Sequence, residues 1–371
     1  MLRTSFLFLL FVATAARSDW QADIPLSFQQ MDHYFPTRVV KAGENPQPLA
    51  RSEKSMLPGY EYAGRRRSIE DFITDTDVSG LLVLHRGEIL HESYHQGAGP
   101  ETLFTSWSVA KSMTVTLLAF ARADGLIASF EDSITQYLPE LSASAYKKVT
   151  IRQALQMSSG VAFDETYEDP ESDFWVFMND YAAQGRANAY LESTSVAHQP
   201  GEKFNYNTSE TQLLGWLIHR VTGQSVSDYL ARKIWQPQGM EADATWLLDA
   251  EDGMEITGIG VNAMLRDYAR FGQMYVTGRG LPEGWVQEAT RPSNPQVENG
   301  ELYEGMELGY QYQWWSFPDN SFEAQGIHGQ FIYVNPAREL VVVVASAWPE
   351  PWVFDHELEF YALIESLNLN L

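Results

Sequence analysis

Thr105-Ser106-Trp107-Ser108-Val109-Ala110-Lys111-Ser112-Met113 is the stretch from which the rest of the chain can be read. A serine hydroxyl is a weak nucleophile at neutral pH and needs a base within hydrogen-bond reach. On a helix, residues three apart share a face, so Lys111 stands one turn beyond Ser108 and reaches its hydroxyl without any tertiary contact. Met113, Val115, Leu117, Leu118, Phe120 and Ala121 follow, dense enough to bury a helix on most sides until Asp124-Gly125 stops it. A pair anchored on such a helix is rigidly held. Taken alone, the same residues also fit a helix-capping serine beside a surface lysine.

The spacing recurs at Ser144-Ala145-Tyr146-Lys147, but there the setting is polar and no long apolar helix follows. That copy reads as a solvated loop. The choice between the two therefore rests on context, and the rest of the chain supplies it.

The sequence has 371 residues, 44% hydrophobic and 13% aromatic, enough for a substantial packed core. Met1-Leu2-Arg3-Thr4-Ser5 is a basic start, and Phe6 to Val12 is an apolar run too short to span a bilayer comfortably. Small residues follow at Ala13-Thr14-Ala15 and Ala16-Arg17-Ser18. Residues 1–18 are thus expected to be a secretory signal peptide, cleaved after Ala15 or Ser18, which sends the protein to the periplasm or outside the cell. No other stretch approaches transmembrane length, so no membrane attachment is expected after cleavage. The chain has no cysteine, which excludes thiol nucleophiles, thiolate metal sites and disulfides. A formal charge of −24 repels phosphate backbones, so nucleic acid is not an expected partner. Arg65-Arg66-Arg67 is the single basic run and reads as a solvated loop.

Residues 19–68, rich in Pro, Gln and charge, read as an extended N-terminal arm ahead of a catalytic domain over 69–371. Gly80 to His85 and Glu88 to Tyr94, joined through Arg86-Gly87, predict a β-hairpin feeding the nucleophile helix. Helical patterns then dominate a mainly helical insertion over about 125–305. They include Thr211 to Val221 closed by Gly223 and Ala263 to Tyr275 closed by Gly278. Strand-like runs return at Tyr310 to Phe317, Gln330 to Val334 and Leu340 to Ala347, and a last helix is expected over Asp355 to Leu367. The expected class is α/β in the α+β sense: an antiparallel sheet flanked by helices with an inserted helical region.

Other chemistries find little footing. The eight histidines are scattered without zinc-ligand spacing, so no metal is expected. No glycine-rich phosphate loop follows a strand, and no serine carries the flanking glycines of a nucleophile elbow. No organic cofactor is implied. Two further segments stand out. In Pro200-Gly201-Glu202-Lys203-Phe204-Asn205-Tyr206-Asn207-Thr208-Ser209 a tyrosine precedes a helix. A nearby lysine ammonium would favour its phenolate, letting Tyr206 accept the Ser108 proton and return it to a leaving group. The plain alternative is a tyrosine packed at a helix start. In Gly326-Ile327-His328-Gly329-Gln330-Phe331-Ile332-Tyr333, glycines on an edge strand would let a substrate lie against the backbone, with an amide facing a developing oxyanion. The plain alternative is a glycine-containing turn and strand.

In order and spacing these three segments resemble the serine β-lactamase and penicillin-binding protein superfamily over nearly the whole chain beyond the leader. The resemblance is strongest to 6-aminohexanoate-dimer hydrolases, beside class C β-lactamases and lipase-like carboxylesterases. The Ser-x-x-Lys element falls on Ser108 and Lys111, the tyrosine motif on Tyr206, and the Lys-Thr-Gly-like motif on Ile327-His328-Gly329. Val149 to Gly160, Gln313-Trp314-Trp315 and Ser346-Ala347-Trp348-Pro349 support it. The resemblance implies an oxyanion hole from the backbone amides of Ser108 and Gln330, and Tyr167 as a substrate-contacting tyrosine, with His328 and Gly329 in the substrate-binding segment.

The departures also carry information. Thr208 stands where the tyrosine motif has an asparagine, and Ile327 where the third motif has a lysine. No Glu-x-x-Leu-Asn segment exists, and the stretch around Asn179 gives no clear match to the acidic group of the aminohexanoate hydrolases. The expected activity is hydrolysis of a small-molecule ester or unstrained amide through an acyl-enzyme on Ser108. The alternatives are a D-amino-acid peptidase or carboxypeptidase, a β-lactamase, or a β-lactamase-like binding protein without turnover.

Overall fold

The computed structural model describes residues 20, 23–53, 57–293 and 307–371. The expected signal peptide lies outside the described residues. Among the described residues two large sheets, with a separate two-stranded hairpin, organise the fold. The larger has eight strands in the spatial order Gly309–Gln311, Trp314–Ser316, Phe322–Gly326, Gln330–Asn335, Leu340–Ser346, Val78–His85, Glu88–Tyr94 and Ala50–Arg51. Its pairings are antiparallel except at the last, where Ala50–Arg51 runs parallel to Glu88–Ile89. The 78–94 hairpin therefore pairs with the C-terminal strands, so the chain's two ends complete one sheet.

Both faces of this sheet are covered, and the strand sequences show it. Val78–His85 is buried at every position but the last. Successive side chains point to opposite faces of a strand. Leu82, Leu84, Ile332, Val334, Val341 and Val343 accordingly join the core beneath the Leu265–Thr277 helix and the nucleophile helix. Leu81, Val83, Phe331, Tyr333, Val342 and Val344 meet Phe72 and the C-terminal helix through Phe360, Leu363 and Leu367. A strand covered on both sides reads as a continuous apolar run, as at Leu81-Leu82-Val83-Leu84.

The helices begin and end where their signals stand. Val109–Ala123 is followed by Gly125 at φ 75°, Thr208–Thr222 by Gly223 at φ 65°, and Leu265–Thr277 by Gly278 at φ 66°. The final helix is Phe354–Asn370. Between the nucleophile helix and the returning strands, the helical region also carries strands Ala244–Leu247 and Val261–Ala263. With Thr37–Val40 and Phe104–Thr105 they form the second, four-stranded sheet.

Several expectations need correction. The described part of the N-terminal arm is built into the body: Thr37–Val40 pairs with Ala244–Leu247, while Phe28 and Met31 are buried. Arg65–Arg67 forms a hairpin with Tyr60–Tyr62, and Arg67 bridges to Asp75 at 2.5 Å and Glu359 at 3.0 Å. Strand Phe322–Gly326 was not expected, and the run from Tyr310 is broken at Tyr312 and Gln313, both with positive φ. Gln330–Asn335 is an interior strand, not an edge. The second Ser-x-x-Lys copy lies in short 3-10 helices, where Ser144 accepts from the Tyr146 N–H at 3.1 Å and donates to the Leu141 carbonyl at 2.9 Å while Lys147 is exposed. Its serine is a cap.

Candidate active site

Ser108 stands immediately before the Val109–Ala123 helix, and the turn that delivers it is strained. Trp107 has φ +43°, a left-handed conformation uncommon for a bulky side chain. Aromatic packing holds it there. Its ring lies 5.5 Å from Trp20, 5.5 Å from Phe28 and 5.7 Å from His328, so the N-terminal segment braces the nucleophile turn.

Lys111 Nζ donates to Ser108 Oγ at 2.8 Å and to the Gly258 carbonyl at 3.0 Å, and its side chain is buried. The second bond depends on the 255–259 loop being pinned to the Thr208–Thr222 helix. Thr257 N donates to Gln212 at 3.0 Å, and the Thr257 hydroxyl to the Thr211 carbonyl at 2.8 Å. Burial pulls the lysine down to about 8, with the Glu165 carboxylate acting the other way. An amine with that property is a base near neutral pH.

Tyr206 lies on the same spot. Lys111 Nζ is 5.1 Å from its ring centroid, and the ring stacks on Trp315 at 5.9 Å and 10°. The sequence reading expects the lysine to favour the phenolate. Burial, reinforced by the charge of Glu165, instead holds the phenol well above its usual range, and only its hydrogen bond with Ser108 opposes this. Tyr206 is thus a protonated phenol, suited to passing a proton and not to starting as the base.

The third segment needs a shift of register. The strand beside the nucleophile helix is Phe322–Gly326, and a Cβ on Gly326 would fall 2.6 Å from the Ser106 carbonyl oxygen and 3.0 Å from the Ser108 nitrogen. Backbone meets backbone there, which only glycine permits. The glycine at the nucleophile is therefore Gly326, three residues before the one the resemblance selects. Gly329, at φ +80°, is bare for another reason: a Cβ would strike the Trp348 ring at 2.4 Å. His328 is turned into the core, its Nδ1 2.8 Å from the Trp348 carbonyl, and burial pulls the imidazole down to about 4. The Gln330 side chain donates to the carbonyls of His328 at 2.9 Å and Ser346 at 2.8 Å. None of His328, Gly329 and Gln330 lines the cleft at Ser108.

That cleft, about 510 Å³, is lined by Ser108 and Tyr206 with Phe163, Tyr167, Trp315, Gly326, Ile327 and Trp352. Asp164, Glu165 and Glu168 add three carboxylates, and no Lys, Arg or His is among the described lining residues. Tyr167 is there, as the resemblance implies, with its hydroxyl donating to Glu165 at 3.0 Å. Glu165 was missed by sequence reading, as was Gly258. Glu165 also accepts from the Thr208 N–H at 2.8 Å and from the Thr208 hydroxyl. Thr208 at the motif's asparagine position therefore serves this carboxylate. Asn207 next to it is buried and caps the helix, accepting from Ser209 N at 2.9 Å. Among the described residues no group of three or more His, Cys, Asp or Glu could hold a metal ion.

A family model described as Beta-lactamase matches residues 66–365, which takes in Ser108, Lys111, Tyr206 and the Phe322–Gly326 strand. The chain belongs to the β-lactamase family. It is 29% identical over 343 residues to the 6-aminohexanoate-dimer hydrolase of Paenarthrobacter ureafaciens, covering 88% of this chain and 86% of that one. A structure from Bacillus anthracis, provisionally titled a 6-aminohexanoate-dimer hydrolase, superposes with TM-score 0.83 at 23% identity, covering 94% and 96% of the two chains. A family VIII carboxylesterase gives TM-score 0.63 at 18% identity, covering 81% and 95%. The fold is the β-lactamase fold, and the family assignment makes the chain a β-lactamase-related hydrolase of the serine type.

Proposed function

We propose that this protein hydrolyses small esters, and unstrained amides more slowly, through an acyl-enzyme on Ser108. The observation that carries the reading is the 2.8 Å contact between the buried Lys111 Nζ and Ser108 Oγ, a serine that opens on a cleft shared with Tyr206. Neutral Lys111 takes the Ser108 proton as Oγ attacks the carbonyl carbon. The carbonyl oxygen becomes an oxyanion facing the backbone amides of Ser108 and Ile327, the residue after Gly326. Collapse breaks the bond to the leaving group, which takes a proton from Tyr206, itself resupplied by Lys111. A water then attacks the acyl carbon, giving one proton to the same relay, and the acid leaves as Ser108 regains its hydrogen.

The cleft chemistry favours neutral acyl groups. A β-lactam or a peptide C-terminus brings a carboxylate to a wall holding Asp164, Glu165 and Glu168 and no described cation. This weighs against β-lactamase and carboxypeptidase activity. The carboxylesterase neighbour fits the ester reading, and the aminohexanoate-dimer hydrolase relative fits the amide one. Residues 1–18 support export to the periplasm or beyond the cell.

The test is covalent. A fluorophosphonate should label Ser108 and leave Ser144 unlabelled in peptide mapping, and Ser108→Ala should lower p-nitrophenyl ester turnover by a thousandfold or more. Label on Ser144, or on neither serine in folded protein, removes the catalytic assignment and leaves the fold as a binding protein.

A further inference from the structure

Glu165 stands between the parts of the site and belongs to none of the three expected segments. One carboxylate oxygen accepts from the Thr208 N–H, an amide at the start of the 15-residue helix Thr208–Thr222. The other takes the hydroxyls of Thr208 and Tyr167. The positive end of a helix and three donors favour an anion at this place. We propose that Glu165 is a positioning residue for nucleophile activation, locking the 163–168 loop onto the start of the Tyr206 helix and presenting its charge to the Lys111 ammonium. The proposal rests on the acyl-enzyme reading above.

The groups that feel the carboxylate come from several elements: Lys111 on the nucleophile helix, Tyr206 and Thr208 at the start of Thr208–Thr222, Tyr190 on helix Ala187–Ser193, Tyr310 on strand Gly309–Gln311, and Tyr167 on its own loop, where Asp164 and Glu168 also stand. Of these Lys111 is the one cation. An anion beside Lys111 stabilises its protonated form, opposing the burial that lowers it. Glu165 itself is raised by burial, and the lysine and the Thr208 and Tyr167 bonds pull it back. The carboxylate thus raises the pH at which Lys111 becomes a base above the one burial alone would give. It also explains why threonine is tolerated where the motif has asparagine: the position holds the loop instead of a substrate amide.

The experiment follows the rate of Ser108 labelling by a fluorophosphonate against pH, in wild type, Glu165→Gln and Thr208→Val. Glu165→Gln keeps the shape and loses the charge, so the midpoint of the rising limb should move down by about one pH unit. Thr208→Val removes one bond to the carboxylate and should move it the same way by less, which preserves the test if the glutamine variant does not fold. Identical midpoints in wild type and folded Glu165→Gln overturn the proposal. A slower rate with an unmoved midpoint does so too, since it marks a merely structural residue. No labelling in wild type would instead bring down the nucleophile assignment on which the proposal stands.

Discussion

Lys111 is held where two forces on its charge oppose one another, and the outcome decides when it acts. Burial favours the neutral amine, while Glu165 and the Gly258 carbonyl favour the ammonium. The resulting value of about 8 predicts that kcat/KM for a neutral ester rises with pH through that region, because the base is the deprotonated form. A pH profile with p-nitrophenyl butyrate reads this directly, and a rate that is flat from pH 6 to 9 would contradict it. Tyr206, kept protonated, works only as part of the relay. Lys111→Ala and Tyr206→Phe should therefore each remove most activity, with the double variant little worse than either, and fully additive losses would show independent roles. Ser108 and Lys111 were legible in the sequence because their contact is local, one helical turn. Glu165 was not, since its meaning depends on a loop folding onto Thr208, 43 positions away.

At the scale of elements, the turn at Trp107 depends on a segment that reads as a loose arm. Phe28 is 3% exposed and packs edge-on against both Trp107 and His328. Phe28→Ala should cost about 3–5 kcal/mol. It should also lower kcat at temperatures where the protein remains folded, because the strained turn loses its brace. Denaturant unfolding and kinetics on the same sample check both, and a loss of stability with kcat unchanged would mean that the turn holds itself. The glycines of the third segment separate in the same way. Gly329→Ala drives a Cβ into Trp348 and should cost stability, on the order of 3 kcal/mol, whereas Gly326→Ala presses on the Ser106–Ser108 backbone and should cost activity first. Equal effects of the two on kcat would undo the revised register. Sequence reading missed strand Phe322–Gly326 because it lacks β-branched residues and carries Glu323, a charged residue type seldom buried. Here Glu323 is fully buried, accepting from the Tyr361 hydroxyl at 2.7 Å on the C-terminal helix. The hairpin at 78–94 and the helices with glycine stops were legible because their signals lie within the element itself.

For the molecule as a whole, charge and cleft act together on substrate choice. The surface carries a formal −24, and the cleft continues that sign inward through Asp164, Glu165 and Glu168. A β-lactam is recognised through its carboxylate and its side-chain amide. Here no described cation lines the cleft, Thr208 is committed to Glu165, and Asn207 is buried in its cap. Each missing charge-assisted hydrogen bond is worth about 1.5–3 kcal/mol, or roughly ten- to a hundredfold. Neutral short-chain esters need neither contact; they require the nucleophile and two backbone amides. Taking both losses together, kcat/KM for p-nitrophenyl acetate or butyrate should exceed that for nitrocefin by at least roughly a hundredfold. Because part of the penalty is electrostatic, raising the salt concentration should narrow the gap by speeding nitrocefin more than the ester. Nitrocefin hydrolysis as fast as ester hydrolysis, and abolished by Ser108→Ala, would show that the acidic wall does not govern entry and that the lactam carboxylate finds a partner on another side of the cleft.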